Sequence, residues 1–322
     1  MFNVAIAGLG SWGKRLVSSV QGSSGTIRFV AAATRTPSKV AAFAAEHGIR
    51  LGGDLDAMLD DPAIDGVVVA GPANLHAEVG LRVLEAGKHA MVIKPLALRL
   101  DDALALRRAA EARGLVLAMG HDRCFLPAVD ELRKRAAAGD LGRIIHAEGD
   151  FCVDRYFAMS PDDWKMGENR SPPGSLADHM LYTMVELIGP VEELTVQALH
   201  LAAPADIADT TSVSMRFASG ASGVLAALGV TPRFERLQLF GTEGWVEIRQ
   251  GRRFEFSPLE GDGSVIDFPA ANLLRRQLEA FAAAARGEAP YPVTLDHAVA
   301  GVAALEAMCK SAVDGKPVRV GG

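Results

Sequence analysis

Residues 1 to about 120 alternate short apolar runs with amphipathic stretches of helical spacing. The apolar runs are FNVAIAG, RFVAAAT, DGVVVAG, HAMVI and LVLAMG, and stretches such as PSKVAAFAAEHG and LHAEVGLRVLEAGK lie between them. Strands that alternate with helices predict a parallel sheet covered by helices on both faces. Because such strands are buried on both sides, nearly every position in them is apolar. We therefore predict a doubly wound α/β domain over residues 1–120.

After Gly120 the pattern changes to strand-like runs joined by short turns. The runs include EELTVQALHL, TSVSMRF, SGVLAAL, RLQLFG, GWVEIRQ and RRFEFSP, and the turns ASGASG, GTEG and RQGR suit hairpins. We predict an α+β domain over residues 121–322, with a large, mostly antiparallel sheet and helices on one side. A chain of 322 residues that is 49% hydrophobic has enough apolar content for two such cores.

The composition favours a small-molecule partner. The formal net charge of −6 argues against nucleic acid, and no run of Lys or Arg suggests binding to an anionic membrane surface. No signal peptide or membrane span is expected, because the uncharged stretch 217–232 is short and interrupted by glycines. Cys124, Cys152 and Cys309 are scattered without ligand spacing, so neither a disulfide framework nor a zinc site is expected, and a cytoplasmic location fits best.

The first predicted strand leads directly into the sequence GLGSWG and then into a helix. This is the GxGxxG pattern in the strand-to-helix context of dinucleotide-binding Rossmann domains. Gly8 permits the tight turn, Gly10 the close approach of a pyrophosphate, and Gly13 the close packing of helix on strand. The phosphates are expected at the N–H groups that begin the helix, beside Ser11 and Trp12. The alternative is a glycine-rich turn that binds no ligand.

The second predicted strand, RFVAAATRTPSK, bears on which dinucleotide is preferred. NAD-preferring sites place a carboxylate at the end of this strand, where it binds the ribose 2′-hydroxyl. Here the strand ends on Thr34 and Arg35, Lys39 follows, and no Asp or Glu precedes Glu46. We therefore predict NADP(H) as the preferred cofactor, with its 2′-phosphate near these three residues. The alternative is that the basic groups are only solvated and that NAD(H) serves equally.

Lys94 directly follows the apolar run HAMVI and precedes Pro95. Doubly wound sheets bind their ligands at the C-terminal ends of the strands, which is where this lysine is expected. A partly buried lysine can exchange a proton with a substrate hydroxyl while hydride moves to or from nicotinamide. The alternative is a lysine that only reaches solvent from a strand end.

Three segments resemble the Gfo/Idh/MocA family, named after glucose–fructose oxidoreductase, inositol dehydrogenase and rhizopine catabolism. They are VAIAGLGSWG, AGPANLHAEVGLRVLEAGKHAMVIKPLAL and LRKRAAAGDLGRI. The resemblance implies that Pro72, Asn74 and His76 line the nicotinamide side of the cofactor site and that Lys94 is the active-site lysine of the family. The glutamate that usually precedes the family's Lys-Pro pair is Ile93 here, so its polar contact is not expected.

Members of this family also carry an Asp and, four residues later, a His on a helix that ends near Gly-Pro. The matching segment is SPPGSLADHMLYTMVELIGP. Counting back from Gly-Pro without a gap makes His179 the family histidine and leaves Ser175 in place of the aspartate. Matching Asp178 to the aspartate instead puts Tyr182 at the histidine position. We favour His179, and a helix-start histidine bonded only locally is the remaining alternative.

His121 and Arg123 follow the last strand of the first half, and Arg170 lies in the loop before the histidine helix. Each is a candidate to bind a substrate hydroxyl or carboxylate, with a surface or interdomain salt bridge as the alternative. No pair of histidines has metal-ligand spacing, so no metal site is predicted.

These features together predict an oxidoreductase that moves hydride between NADP(H) and a secondary alcohol or carbonyl of a sugar, polyol or related compound. The resemblance also implies a homodimer or homotetramer. A catalytically silent NAD(P)-binding sensor of the same fold is the alternative. Redox-neutral glycoside hydrolysis is a third activity that the resemblance leaves open.

Overall fold

The computed structural model describes residues 1–52, 54–162, 171–173 and 175–321. The chain divides into two compact units. The first comprises Met1–Asp122 and Asn272–Val302, and the second comprises Arg123–Ala271 and Ala303–Gly322. Among the described residues, no helix is both long enough and apolar enough to span a bilayer.

The first unit contains a parallel sheet with helices between its strands. The strands are β1 (Phe2–Ala7), β2 (Ile27–Ala33), β3 (Arg50–Gly52), β4 (Gly66–Val69), β5 (His89–Ile93) and β6 (Leu117–Gly120). The helices between them are α1 (Ser11–Val20), α2 (Ala41–Glu46), α3 (Asp56–Leu59), α4 (His76–Glu85) and α5 (Leu100–Arg113). In this part of the chain the strand order is β3-β2-β1-β4-β5-β6, and every neighbouring pair is parallel.

This strand order confirms the predicted doubly wound sheet. The chain runs outward from β1 in one direction through β2 and β3, and then in the other direction from β4 to β6. The reversal between β1 and β4 leaves a crevice at the C-terminal ends of these two strands, the position where such sheets bind ligands.

The second unit contains a mostly antiparallel sheet, as predicted. Its helices are α6 (Pro127–Ala138) and α7 (Ala177–Ile188). Its strands are β7 (Ile144–Cys152), β8 (Val191–Leu199), β9 (Thr210–Phe217), β10 (Ser222–Leu228), β11 (Phe234–Gly241), β12 (Gly244–Arg249), β13 (Arg253–Pro258), β14 (Ser264–Asp267) and β15 (Val318–Arg319). The strand order over the described residues is β14-β13-β12-β11-β7-β10-β9-β8-β15, and the pair β7–β10 is parallel.

Two more helices, α8 (Leu273–Ala285) and α9 (Leu295–Asp314), follow β14 in the chain. The sequence pattern assigned both helices to the second half, whereas residues 272–302 belong to the first compact unit. The physical reason is that α8 buries Leu274, Leu278 and Phe281 in the core of the first unit. The ring of Phe281 meets that of Phe2 edge to face at 5.6 Å. The domain boundary at residues 120 and 121 stays a prediction.

Candidate cofactor and active site

The glycine loop connects β1 to α1 and needs glycine at two positions. Gly8 has a φ of +107°, and a Cβ there would lie 2.7 Å from the backbone of Ala70 and Gly71, which follow β4. A Cβ on Gly13 would lie 2.2 Å from the carbonyl oxygen of Gly8. Real Cβ atoms do not come this close to backbone atoms, so these positions let α1 begin close against the ends of β1 and β4.

The space in front of Gly10 is open. A Cβ there would meet no atom within 4 Å, and Gly10 is the N-cap residue of α1. Ser11 is exposed and Trp12 is half-buried beside it. The first N–H groups of a helix lack partners within the helix and carry partial positive charge, so they suit a phosphate. The loop therefore fits the pyrophosphate of a dinucleotide.

The end of β2 lies beside the glycine loop, because the N–H of Gly8 donates to the carbonyl of Ala33 at 2.9 Å. Thr34 follows directly and is half-buried, whereas Arg35 and Lys39 are exposed. No Asp or Glu occurs in the chain before Glu46. The end of β2 therefore offers hydroxyl and cationic groups, and none of its residues is a carboxylate.

Lys94 lies at the same edge of this sheet, one residue after β5. Its N–H donates to the carbonyl of Gly120 at 3.0 Å, which continues the β5–β6 pairing by one bond. The Lys94–Pro95 peptide bond is cis, and the lysine is half-buried. The predicted lysine and the glycine loop thus lie at the C-terminal edge of one parallel sheet.

Three residues from the β4–α4 segment were predicted at the nicotinamide side. Pro72 is partly exposed and Asn74 is exposed, but His76 is only 1% exposed. The His76 Nδ1 lies 2.7 Å from the carbonyl oxygen of Pro95, and its Nε2 lies 3.0 Å from that of Gly71. Burial lowers the pKa of His76, the two carbonyls oppose this effect, and the Lys94 ammonium lowers the pKa further.

Ile93, which stands where the resemblance expects a glutamate, packs into an apolar environment. Its side chain contacts the core cluster to which β5 contributes Met91 and α8 contributes Leu274 and Leu278. An isoleucine suits this position, because a carboxylate in such surroundings would need a partner to offset its desolvation. The reactive side chain at this end of β5 is therefore that of Lys94, the residue that follows the strand.

In the second unit, His179 lies in the first turn of α7 and stacks on Phe151. The two rings are 4.7 Å apart between centroids and nearly parallel, with an interplanar angle of 14°. The guanidinium of Arg123 also lies over the Phe151 ring, at 5.5 Å from its centroid. These three side chains and Glu235 line one cavity, together with apolar side chains from α6, α7 and the sheet.

Arg123 is paired with a carboxylate inside the second unit. Its Nη1 lies 3.0 Å from Glu235, and the side chains are 16% and 8% exposed. Glu235 stands directly opposite Phe151 in the pairing of β11 with β7. Glu235 also lies 3.2 Å from the exposed guanidinium of Arg233, so this buried carboxylate is shared by two arginines.

The two other candidates on α7 are buried. Asp178 is 7% exposed and Tyr182 is 2% exposed. Burial raises the pKa of Tyr182 well above 10, and the nearby Asp178 and Cys309 add to the effect. Ser175 donates its N–H to the hydroxyl of Tyr156 at 3.0 Å, so it is tied to the segment that follows β7. His179 is thus the more accessible member of the set.

The remaining predicted residues fall in different places. His121 lies in the first unit, next to Asp122, and is fully buried, while Arg170 lies outside the described residues. Sequence reasoning missed Phe151 and Glu235, which contact the predicted His179 and Arg123. No local motif marks them, because strand register and helix packing bring them there from distant parts of the chain.

Comparison with known proteins agrees with the fold. Residues 2–121 match the model of an oxidoreductase family with an NAD-binding Rossmann fold, and residues 129–247 match the GFO/IDH/MocA C-terminal domain. A solved structure of levoglucosan dehydrogenase in complex with NADH and levoglucosan superimposes with a TM-score of 0.86. The match covers 100% of both chains at 21% identity, a level that shows the fold alone.

Two curated relatives are more similar in sequence. The 4-carboxy-2-hydroxymuconate-6-semialdehyde dehydrogenase of a Sphingobium species is 31% identical over 180 residues, 56% of this chain and 54% of that protein. The match thus spans about half of that relative's length. The scyllo-inositol 2-dehydrogenase (NAD(+)) of Bacillus subtilis is 27% identical over 289 residues, 82% of this chain and 78% of that protein. With its N-terminal and C-terminal domain models matched over residues 2–121 and 129–247, the chain belongs to the Gfo/Idh/MocA family of NAD(P)-dependent oxidoreductases.

Proposed function

We propose that the chain is a dehydrogenase or reductase that acts on a CH–OH or carbonyl group of a neutral sugar or polyol, with NADP(H) as its preferred cofactor. One observation carries the proposal. The glycine loop, open at Gly10, and the half-buried Lys94 lie at the C-terminal edge of the same parallel sheet. Phosphate-binding N–H groups and a proton-transfer group at one edge suit hydride transfer at a bound dinucleotide.

The roles of the residues follow from their chemistry. The N–H groups after Gly10 bind the pyrophosphate, and Lys94 exchanges a proton with the substrate oxygen. When bound, the nicotinamide supplies or accepts the hydride. We assign His179 as a second group that handles the substrate proton, held against Phe151. Tyr182 is less suited to this role, because its raised pKa keeps the phenol neutral in a buried position.

The preference for NADP(H) is supported by the end of β2. A 2′-phosphate there would meet Thr34 together with the exposed cations Arg35 and Lys39. A ribose diol would find none of the carboxylates that usually accept its hydrogen bonds at this strand end.

A neutral substrate is supported by the pair of Arg123 and Glu235. A free arginine beside His179 would favour a carboxylated substrate, but the Arg123 guanidinium already has the buried carboxylate of Glu235 at 3.0 Å. Arg233, which shares this carboxylate, has a side chain that is 60% exposed to solvent. Replacing the carboxylate in Glu235→Gln should therefore raise activity on carboxylated sugars relative to neutral ones. Glu247→Gln, which alters another nearly buried carboxylate paired with an arginine on the same sheet, is the matched control. A wild-type protein that prefers carboxylated sugars would contradict the assignment of a neutral substrate.

The cofactor test is a fluorescence titration of the purified chain with NADPH and with NADH. We expect tighter binding of NADPH, and we expect Thr34→Asp to remove that preference by placing a carboxylate against the 2′-phosphate. Equal affinities in the wild-type protein would contradict the preference. If neither cofactor binds, the role of the glycine loop is wrong.

The activity test is an oxidation and reduction screen over sugars and polyols, with Lys94→Ala and Lys134→Ala in parallel. Lys134 lies on α6 and its side chain is 78% exposed, so it controls for loss of a lysine as such. We expect turnover that is lost in Lys94→Ala only. NADPH binding without any turnover would favour the silent sensor. Sugar release without net change in the nicotinamide would favour glycoside hydrolysis.

A homodimer or homotetramer and a cytoplasmic location stay predictions.

A further inference from the structure

His76 is buried at the start of α4, and each of its ring nitrogens faces a backbone carbonyl. One carbonyl belongs to Gly71, two residues after β4, and the other belongs to Pro95, one residue after Lys94. With 1% exposure, the ring lies beneath the sheet edge, and it bridges the segments that follow two neighbouring strands.

The chemistry of the ring decides which of the two contacts is a hydrogen bond. A neutral imidazole has one N–H, so it can donate to one carbonyl only. We place the proton on Nδ1, because its distance of 2.7 Å to the carbonyl oxygen of Pro95 is shorter than the 3.0 Å from Nε2 to that of Gly71. Burial and the Lys94 ammonium both disfavour a second proton on the ring. The ring therefore holds Pro95 as a neutral donor and adds no positive charge beside the lysine.

The backbone at Lys94 depends on the hydrogen bond from His76 to Pro95, because the hydrogen-bonded pairing of β5 with β6 ends at Lys94. On the β6 side its N–H is bonded to Gly120 at 3.0 Å. Proline has no N–H, so the pairing cannot continue through Pro95, and the carbonyl is the polar backbone group by which that residue can be held. His76 bonds this carbonyl from the side of β4, so the lysine backbone is fixed between its two neighbouring strands.

We propose that His76 is a positioning residue for Lys94. Its Nδ1–H fixes the Lys94–Pro95 turn and thereby aims the lysine side chain at the reacting oxygen, while the ring itself touches neither cofactor nor substrate. This inference rests on the proton-transfer role of Lys94 in the proposed function. It gives the histidine of the β4–α4 segment a different task from lining the nicotinamide.

The test compares two replacements of His76. His76→Asn keeps an N–H donor close to the position of Nδ1, whereas His76→Leu removes it. We expect His76→Leu to lower kcat about tenfold or more, because small displacements of a reacting group are costly, while NADPH affinity and KM stay within about twofold. We expect His76→Asn to recover most of kcat. A merely structural histidine would not give this division between kcat and KM or this recovery.

The matched control is His89→Leu. His89 is the first residue of the same strand, β5, and its Nδ1 accepts the N–H of Val116 at 3.0 Å, so it too ties a ring nitrogen to a neighbouring backbone. It lies at the end of β5 away from Lys94, and we expect kcat to be unchanged in this variant. A loss of kcat equal to that of His76→Leu would overturn the inference.

A second readout is independent of any substrate. Hydrogen exchange of the Lys94 amide, measured by NMR, reports how firmly the end of β5 is held. We expect exchange to accelerate about tenfold in His76→Leu and to remain near the wild-type rate in His76→Asn. Unchanged exchange, or faster exchange with unchanged kcat, would overturn the inference.

If His76→Leu does not fold, His76→Gln replaces it. Its amide reaches toward the position of Nε2 and Gly71, so we expect low kcat with Gln and near-normal kcat with Asn. Equal activity of the two variants would overturn the inference. Full activity of Lys94→Ala, or NADPH binding without wild-type turnover, would instead refute the proposed function, and the exchange rates would still decide whether His76 holds Lys94.

Discussion

The two units hold their candidate groups by different means. In the first unit, contacts with backbone atoms position the candidate residues. The N–H of Lys94 donates to the carbonyl of Gly120, and the ring of His76 lies between two other backbone carbonyls. In the second unit, side chains do it: His179 stacks on Phe151, and Arg123 pairs with Glu235. Backbone contacts demand particular residue types at fixed spacing, whereas side-chain contacts can be assembled from distant positions.

The largest expected effect tests the second unit's contribution. His179→Ala should lower kcat by roughly 10²- to 10⁴-fold, the usual range for loss of a proton-transfer group. Tyr182→Phe, on the same helix, should stay within about threefold of wild type, because its buried phenol is kept neutral. Steady-state kinetics at saturating NADPH measures both variants. If kcat fell more in Tyr182→Phe than in His179→Ala, the proton-transfer role would belong to Tyr182.

The next largest effect is expected on the stability of the first unit, which depends on close contact between backbone atoms at Gly13. Gly13→Ala should lower the free energy of unfolding by about 3 kcal/mol, because its Cβ would lie 2.2 Å from the carbonyl oxygen of Gly8. Gly10→Ala is the matched control. It has open space and a φ of −76°, so stability should change little while NADPH affinity falls. Denaturant unfolding and cofactor titration separate the two effects, and equal stability of the variants would contradict the close packing.

A somewhat smaller effect on stability is expected at Asp209 in the second unit. Its carboxylate accepts hydrogen bonds from the backbone N–H groups of residues 201–203. Burial alone raises the pKa of Asp209, but the N–H groups of Ala202, Ala203 and Leu201 and the hydroxyl of Thr210 outweigh it, and the pKa is lowered from 3.8. The ionised carboxylate therefore stabilises the fold above about pH 4. This contribution to stability is lost as the pH falls through the lowered pKa that Asp209 has in the folded protein.

Asp209→Asn should lower the free energy of unfolding by about 2 kcal/mol at pH 7, since a neutral amide with one acceptor oxygen replaces a charged carboxylate with two. The difference from wild type should shrink below pH 4, and urea unfolding at a series of pH values measures it. If the difference in unfolding free energy between the two proteins does not depend on pH, the charge of Asp209 does not stabilise the segment 201–203.

The smallest expected effect is at Phe151. Phe151→Leu should lower kcat about tenfold, because the imidazole of His179 loses the ring that orients it. Phe254→Leu is the control, since this buried ring of the same sheet also carries an arginine, Arg135, at 5.7 Å but contacts no candidate catalytic group named above. Equal losses in both variants would attribute the effect to general destabilisation.

The same division explains what the sequence could predict. Alternating strands and helices predicted the first sheet, strand-like runs joined by hairpin turns predicted the second, and the fold class is confirmed. The glycine loop and Lys94 could be located because turn geometry and strand ends restrict the residues there. The stacking partner Phe151 could not, because it depends on how α7 crosses β7, and no local pattern encodes that crossing. The burial of His76 was equally hidden, since the motif gives its position but not the direction of its ring.

The placement of α8 has a consequence for synthesis on the ribosome. The nucleotide-binding unit is interrupted in the sequence, and the aromatic and aliphatic side chains of α8 that complete its core are made only after residues 123–271. At ordinary elongation rates this interval is roughly 7 to 30 seconds. During it, the apolar surface around Phe2 that Phe281 later covers lacks its native partner. A nascent chain stalled before α8 is therefore expected to be a substrate for chaperones.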